Sequence, residues 1–145
     1  MTDNIAKSGS ACVGCDFAIF SDSQDLQDLM GQIEVNADWS LPPAASTFDS
    51  TGSLRGFSRC GCWLVRSKDR IGSKDVNEHL RFLLRLLHPH RDMIKDTAKC
   101  GVAVFTVHWT GQAYPYDCGP AIAVDCVAGI AEPAAELTVT IHGVQ

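Results

Sequence analysis

Hydrophobic and polar positions along the chain repeat with two periods, and the places where one gives way to the other outline the elements. Ala11 to Phe20 is an apolar run ending on Phe17, Ala18, Ile19 and Phe20, which predicts a buried strand. Ser21 then offers an N-cap oxygen to DSQDLQDLMG. Leu26, Leu29, Met30 and Ile33 form the apolar stripe of that short helix, Asp22 falls in its first turn, Asp25 and Asp28 lie on its polar side, and Gly31 is placed to stop it. From Asn36 to Gly56 the chain turns to Asp, Ser, Pro, Thr and Gly, a long loop or an excursion carrying short strand pieces, with Trp39 weighed as a core plug ahead of a binding hot spot. Phe57 to Arg66, FSRCGCWLVR, reads as a second strand. Beyond a cap at Ser73, Val76, Leu80, Leu83, Leu84 and Leu87 share one arc of a helix, and Glu78, Arg81, Arg85 and His88 lie opposite. Pro89 ends that helix, and a shorter one spans roughly His90 to Ala98 with Met93 and Ile94 inward. The run Cys100 to Thr110 predicts a strand that turns at Thr110 to Gln112 and returns as a hairpin through AYPYDC. Pro120 opens a helix whose Ile122, Cys126 and Ile130 face inward. A closing strand alternates Leu137, Val139 and Ile141 against Thr138, Thr140 and His142.

This order predicts a single α+β domain over 11–145, helices packed on one face of a mostly antiparallel sheet, behind a flexible polar tail over 1–10. The 145 residues are 46% hydrophobic and 20% charged, and a chain of this size hides roughly 68% of its unfolded surface on folding, enough for a core without metal or disulfides. No apolar run approaches the roughly 18 residues of a membrane span, and no basic region followed by an apolar signal core opens the chain, so a cytoplasmic location is expected.

Charge changes the picture because the net value of −5 is divided unevenly. Residues 1–50 carry −7, residues 51–99 carry +6 and residues 100–145 carry −4. A sequence pI near 5.4 argues against a dedicated nucleic-acid binder.

Candidate chemistry is sparse. The seven cysteines form two close pairs, Cys12 with Cys15 and Cys60 with Cys62. These four are the only zinc set that the spacing offers, and they meet only if two strand ends are neighbours in the sheet. Reduced thiols filling core positions are the simpler expectation, and no cofactor is expected. His79 falls on the apolar side of its helix, His88 and His90 flank a helix break, and His108 stands beside Trp109; packing or capping is expected of each. Hydrolase, zinc-protease, phosphate-loop and dinucleotide motifs do not occur, so no catalytic residue is assigned.

The segment CWLVRSKD followed by VNEHLRFLLRLLHPHRDMIKD, then the region from the expected hairpin to the last strand, resembles a bacterial family called domain of unknown function 4279. The resemblance runs over roughly residues 12 to 142, implies a small α+β domain and carries no activity with it; SLPPAASTFD departs from the family pattern after Trp39.

The expected function is binding without catalysis. An acidic first helix steers toward a protein partner with a basic surface, because complementary potentials raise association rates. Small acidic domains without catalytic motifs include immunity proteins and phage inhibitors of bacterial defence, and that analogy places this chain among proteins that neutralise a macromolecule by contact. The residues expected at the contact are Asp22, Asp25, Asp28, Trp39, Arg81 and Arg85. A cysteine-ligated zinc module and a thiol-dependent enzyme are the competing expectations.

Overall fold

The computed structural model describes residues 11–21, 26, 31–33, 36–41, 46–48, 51, 54–57, 61–99, 101–111 and 120–143, with 11–13, 41, 46–48, 54–57, 111 and 143 described by backbone alone. In chain order the elements are β1 (Ala11–Ser21), β2 (Trp39–Leu41), β3 (Ser46–Phe48), β4 (Leu54–Phe57), β5 (Gly61–Arg66), α1 (Val76–Leu87), a 3-10 turn (His88–His90), α2 (Arg91–Ala98), β6 (Gly101–Gly111), α3 (Val124–Ala131) and β7 (Glu136–Gly143). Leu26, Gly31 and Gln32 are helical, and Leu26 and Ile33 are buried. Asp22, Asp25 and Asp28 of that predicted helix lie outside the described residues, as does 1–10.

Five strands form one sheet in the order β2-β5-β1-β6-β7, antiparallel except for β6 beside β7. A parallel neighbour requires a crossover, and α3 lies within the connection between those two strands. The fold is therefore α+β, with a mostly antiparallel sheet and helices on one face. β3 and β4 pair separately as a two-stranded ribbon, the strand pieces anticipated between Asn36 and Gly56.

The core follows from the period-2 pattern. Cys15, Phe17 and Ile19 of β1, Trp63 and Val65 of β5, and Ala103, Phe105 and Val107 of β6 point to one face and join one buried cluster with Leu80, Leu83 and Leu87 of α1, Ile94 of α2, and Cys126 and Ile130 of α3. Phe17 is central, its ring 4.9 Å from that of Phe105 and 6.2 Å from that of Trp63. Each fully buried leucine here contributes about 1.5–3 kcal/mol.

Several boundaries differ from the expected ones for local reasons. The cap of α1 is Asp75, whose carboxylate accepts from the Asn77 amide at 2.9 Å; Ser73 caps the turn before it, accepting from the Asp75 amide at 3.0 Å. Pro89 marks the end of the long helix as expected: α1 stops at Leu87, and one 3-10 turn over His88–His90 leads into α2. α3 starts at Val124 and not at Pro120, with Ala123 in extended backbone as its cap. The predicted hairpin has no free edge to use: along Val104 to Thr110, β6 is paired with β1 on one side and β7 on the other. Its return segment, 112–119, lies outside the described residues. Trp39 is not a core plug, since it opens β2 at the sheet edge and is 51% exposed.

Candidate functional site

The face of the sheet away from the helices carries the polar members of each alternation and some apolar ones. At the β2 and β5 end it presents Trp39 and, on β1, Phe20, which is 37% exposed. Toward the other end of β1 the residues become charged. Arg66 of β5 stands opposite Asp16 of β1, His108 of β6 lies one diagonal step from Asp16, and His142 of β7 one further diagonal step from His108. Diagonal neighbours on adjacent strands are within reach of long side chains, so four strands deliver one contiguous row.

Within that row, His108 Nε2 lies 2.8 Å from Asp16 Oδ2. A carboxylate only accepts, so Nε2 carries a proton and donates it to Asp16. The His142 ring stacks on that of His108, centroids 5.8 Å apart and planes 27° from parallel. The Arg66 guanidinium is a looser neighbour, its Nε 3.9 Å from Asp16 Oδ1. Gly14, Asp16, Arg66, Lys68, His108 and His142 line a cleft of about 240 Å³.

Two local features build the cleft. β1 carries a bulge between Cys12 and Gly14, a device that re-aims side chains along a strand. Gly14 then lies under the turn after β5, where an added Cβ would stand 3.1 Å from Lys68 Cβ. That turn is fixed from both sides. Asp38 Oδ2 accepts from the Arg66 amide at 2.6 Å and pairs with Arg70 at 3.4 Å, while Asp69 takes a left-handed φ of 69°.

On the opposite side of the sheet a second histidine pair looks chemical and is structural. Ser67 Oγ and His79 Nδ1 are 2.6 Å apart, and His79 Nε2 is 2.6 Å from the Ser73 carbonyl. The carbonyl requires Nε2–H, so Nδ1 accepts from the Ser67 hydroxyl, whose oxygen in turn accepts from the Cys15 amide at 2.8 Å. Ser67 is 0% and His79 1% exposed, so no substrate reaches them. The pair joins β5, β1, α1 and the loop before α1.

The residues singled out from the sequence are dispersed. Arg81 is engaged in a two-pronged ion pair with Asp125, at 2.9 and 3.0 Å, tying α1 to α3; its partner is not Glu78 on its own helix. The Arg81 guanidinium holds the Asp125 carboxyl below the usual carboxylate range. Arg85 donates back to the Arg81 carbonyl at 3.3 Å and, with Arg81, Leu84 and His88, lines a groove of about 580 Å³ beside α3. Gly129 permits the close approach there, since a Cβ on it would stand 2.8 Å from Leu84 Cδ1. Neither arginine is near Trp39's face of the sheet, because both belong to the helix layer.

Cys12 and Cys15 lie on β1 and Cys62 on β5; these strands are neighbours, but the strand ends that carry the cysteines are not, so the condition set for a shared zinc site is not met. Their antiparallel register separates the pairs: Cys62 is opposite Phe20, while Cys15 is bonded across to Ser67, five residues further along β5, roughly 17 Å at 3.4 Å per residue. Cys15 also faces the helices and Cys62 the other side. Cys60 lies outside the described residues. Among the described residues no group of three His, Cys, Asp or Glu is arranged to hold a metal, the 88–90 histidines included. Cys15, Cys62 and Cys126 are buried and in no disulfide, and burial pushes Cys62 up to about 11 and Cys126 upward also. Neither of those two is a thiolate near neutral pH.

Among the described residues no helix is long and apolar enough to cross a membrane. No family model matches the chain, and neither a curated protein nor a solved structure matches it. None of these comparisons supports the resemblance to domain of unknown function 4279.

Proposed function

We propose that this chain works by contact, as a non-catalytic protein that neutralises or inhibits a protein partner in the manner of an immunity protein or a phage inhibitor of bacterial defence. The observation that carries the reading is the half-exposed Trp39, with Phe20 nearby, on a sheet face that, among the described residues, joins none of its side chains to the helix-covered core. Large aromatics anchor protein interfaces when a partner desolvates them, and Trp is the residue most enriched at such points. The net charge of −5 favours a partner with a basic surface.

The buried state of the described thiols supports the same reading, because a thiol enzyme needs an accessible thiolate. Purification of the protein from its native cell, with identification of what co-purifies, supplies the partner. Association with that partner should slow as salt rises, and Asp22→Asn with Asp25→Asn and Asp28→Asn should slow it further, while Trp39→Ala should speed dissociation. Stoichiometric zinc in protein purified without chelator, or a single cysteine labelled far faster than the rest near neutral pH, would replace this reading with one of the two competing ones.

A further inference from the structure

We infer that the cleft over Gly14 is a binding site for a phosphate-type dianion, a function separate from partner contact and independent of it. Two side chains of permanent positive charge, Arg66 and Lys68, and two imidazoles line it together with one carboxylate, that of Asp16. The carboxylate does not cancel them. One of its oxygens is occupied by His108 at 2.8 Å, and its approach to Arg66 is a loose 3.9 Å. Among the described residues Lys68 makes no hydrogen bond or ion pair. With neutral imidazoles the described lining carries a surplus of one positive charge, and protonation of His108 or His142 raises it.

The role of Asp16 is orientation. By holding Nε2–H of His108 it fixes that ring and leaves Nδ1 as the group that changes from acceptor to donor when a proton arrives. His142, stacked on the same ring and exposed, brings a second such group to the same rim. A planar monoanion such as a carboxylate would leave part of this donor set unused, whereas a tetrahedral dianion presents oxygens in several directions and matches both the count and the charge. A volume of about 240 Å³ is smaller than the roughly 300–1,000 Å³ of pockets that enclose drug-sized ligands, so the group recognised is one phosphate. That phosphate is either free or at the end of a larger molecule held outside the cleft.

The test is a titration of the full chain with inorganic phosphate at ionic strength held constant with chloride, following the imidazole resonances of all five histidines. His108 and His142 should shift together along a saturating curve, half complete at about 1 mM or below. His79, His88 and His90 should stay still. Lys68→Met, a change at an exposed side chain, should weaken binding at least about tenfold, the loss of one charge-assisted contact. Acetate at the same ionic strength should bind at least about tenfold more weakly than phosphate. Glycerol phosphate distinguishes the sources: equal binding means that the cleft admits a phosphoryl group on a larger molecule, and binding of inorganic phosphate alone means that it takes the free ion. The inference fails if the shifts are linear and shared with His88 and His90, if acetate binds as well as phosphate, or if saturable binding survives Lys68→Met unchanged in protein shown to be folded by its circular dichroism.

Discussion

Ser67 is the side chain on which most of the local geometry depends. Its hydroxyl oxygen accepts from the Cys15 amide while its proton goes to His79, and its own amide donates to the Cys15 carbonyl at 2.8 Å. Replacement by Ala removes the hydroxyl that accepts from the Cys15 amide and donates to the His79 ring, and losing a buried bond of this kind costs about 1–3 kcal/mol. Ser67→Ala should therefore lower the free energy of unfolding by at least about 2 kcal/mol in urea denaturation; a loss of a few tenths would show that the network is ornamental. Cys62 gives the residue-scale pH dependence. Burial raises its thiol from 9.0 to about 11, so the folded chain holds that proton more tightly than the unfolded chain does. The stability this contributes is complete below pH 9 and is lost as pH rises through 11. Stability measured from pH 8 to pH 11 should fall less steeply in Cys62→Ala than in the unaltered chain, and equal slopes would contradict the assigned burial.

Among the elements, those set by local periodicity were legible in the sequence and those set by partners were not. α1 shows its apolar arc in Val76, Leu80, Leu83 and Leu87, and the same four are buried against the sheet. The alternation in β7 was less telling, since Leu137, Val139 and Ile141 of its apolar row are 38%, 38% and 56% exposed. Strand order is a different kind of information. Nothing in the run Cys100 to Thr110 says that both its edges are taken, one by β1 from far upstream and the other by β7, so a hairpin was the simplest reading of Gly111. The cleft was hidden for the same reason. Asp16, Arg66, His108 and His142 each sit at an unremarkable alternating position, and only the order β5-β1-β6-β7 lines them up. Trp39 was misplaced because an isolated Trp in a polar stretch gives no periodicity from which to read its face. The end of α3 supplies a test at this scale. Ala134 follows Pro133 with a left-handed φ of 59°, donating to the Ala131 carbonyl at 2.9 Å, a conformation that glycine adopts without steric cost. Ala134→Gly should raise stability by up to about 1 kcal/mol, and a loss of that size would mean that the turn is not as described.

At the scale of the whole molecule, the helices, the core and the Ser67–His79 network lie to one side of the five strands, while the other side combines buried Ala18 and Cys62 with exposed Trp39 and Phe20. Trp39 and Phe20 stand at one end of that second side, and the Asp16–His108 pair with its basic neighbours at the other. Arg81 and Arg85 belong to the covered half, where the bond to Asp125 is a strut between two helices. The division makes the account testable by contrasting two substitutions. The measurement is the dissociation constant of the complex with the co-purified partner, taken for the unaltered chain, for Trp39→Ala and for Arg85→Ala. Trp39→Ala should weaken the complex at least about thirtyfold, the loss of an interface anchor worth about 2 kcal/mol, with Arg85→Ala unchanged. Full affinity in Trp39→Ala together with loss in Arg85→Ala would put recognition on the helix side and contradict the account.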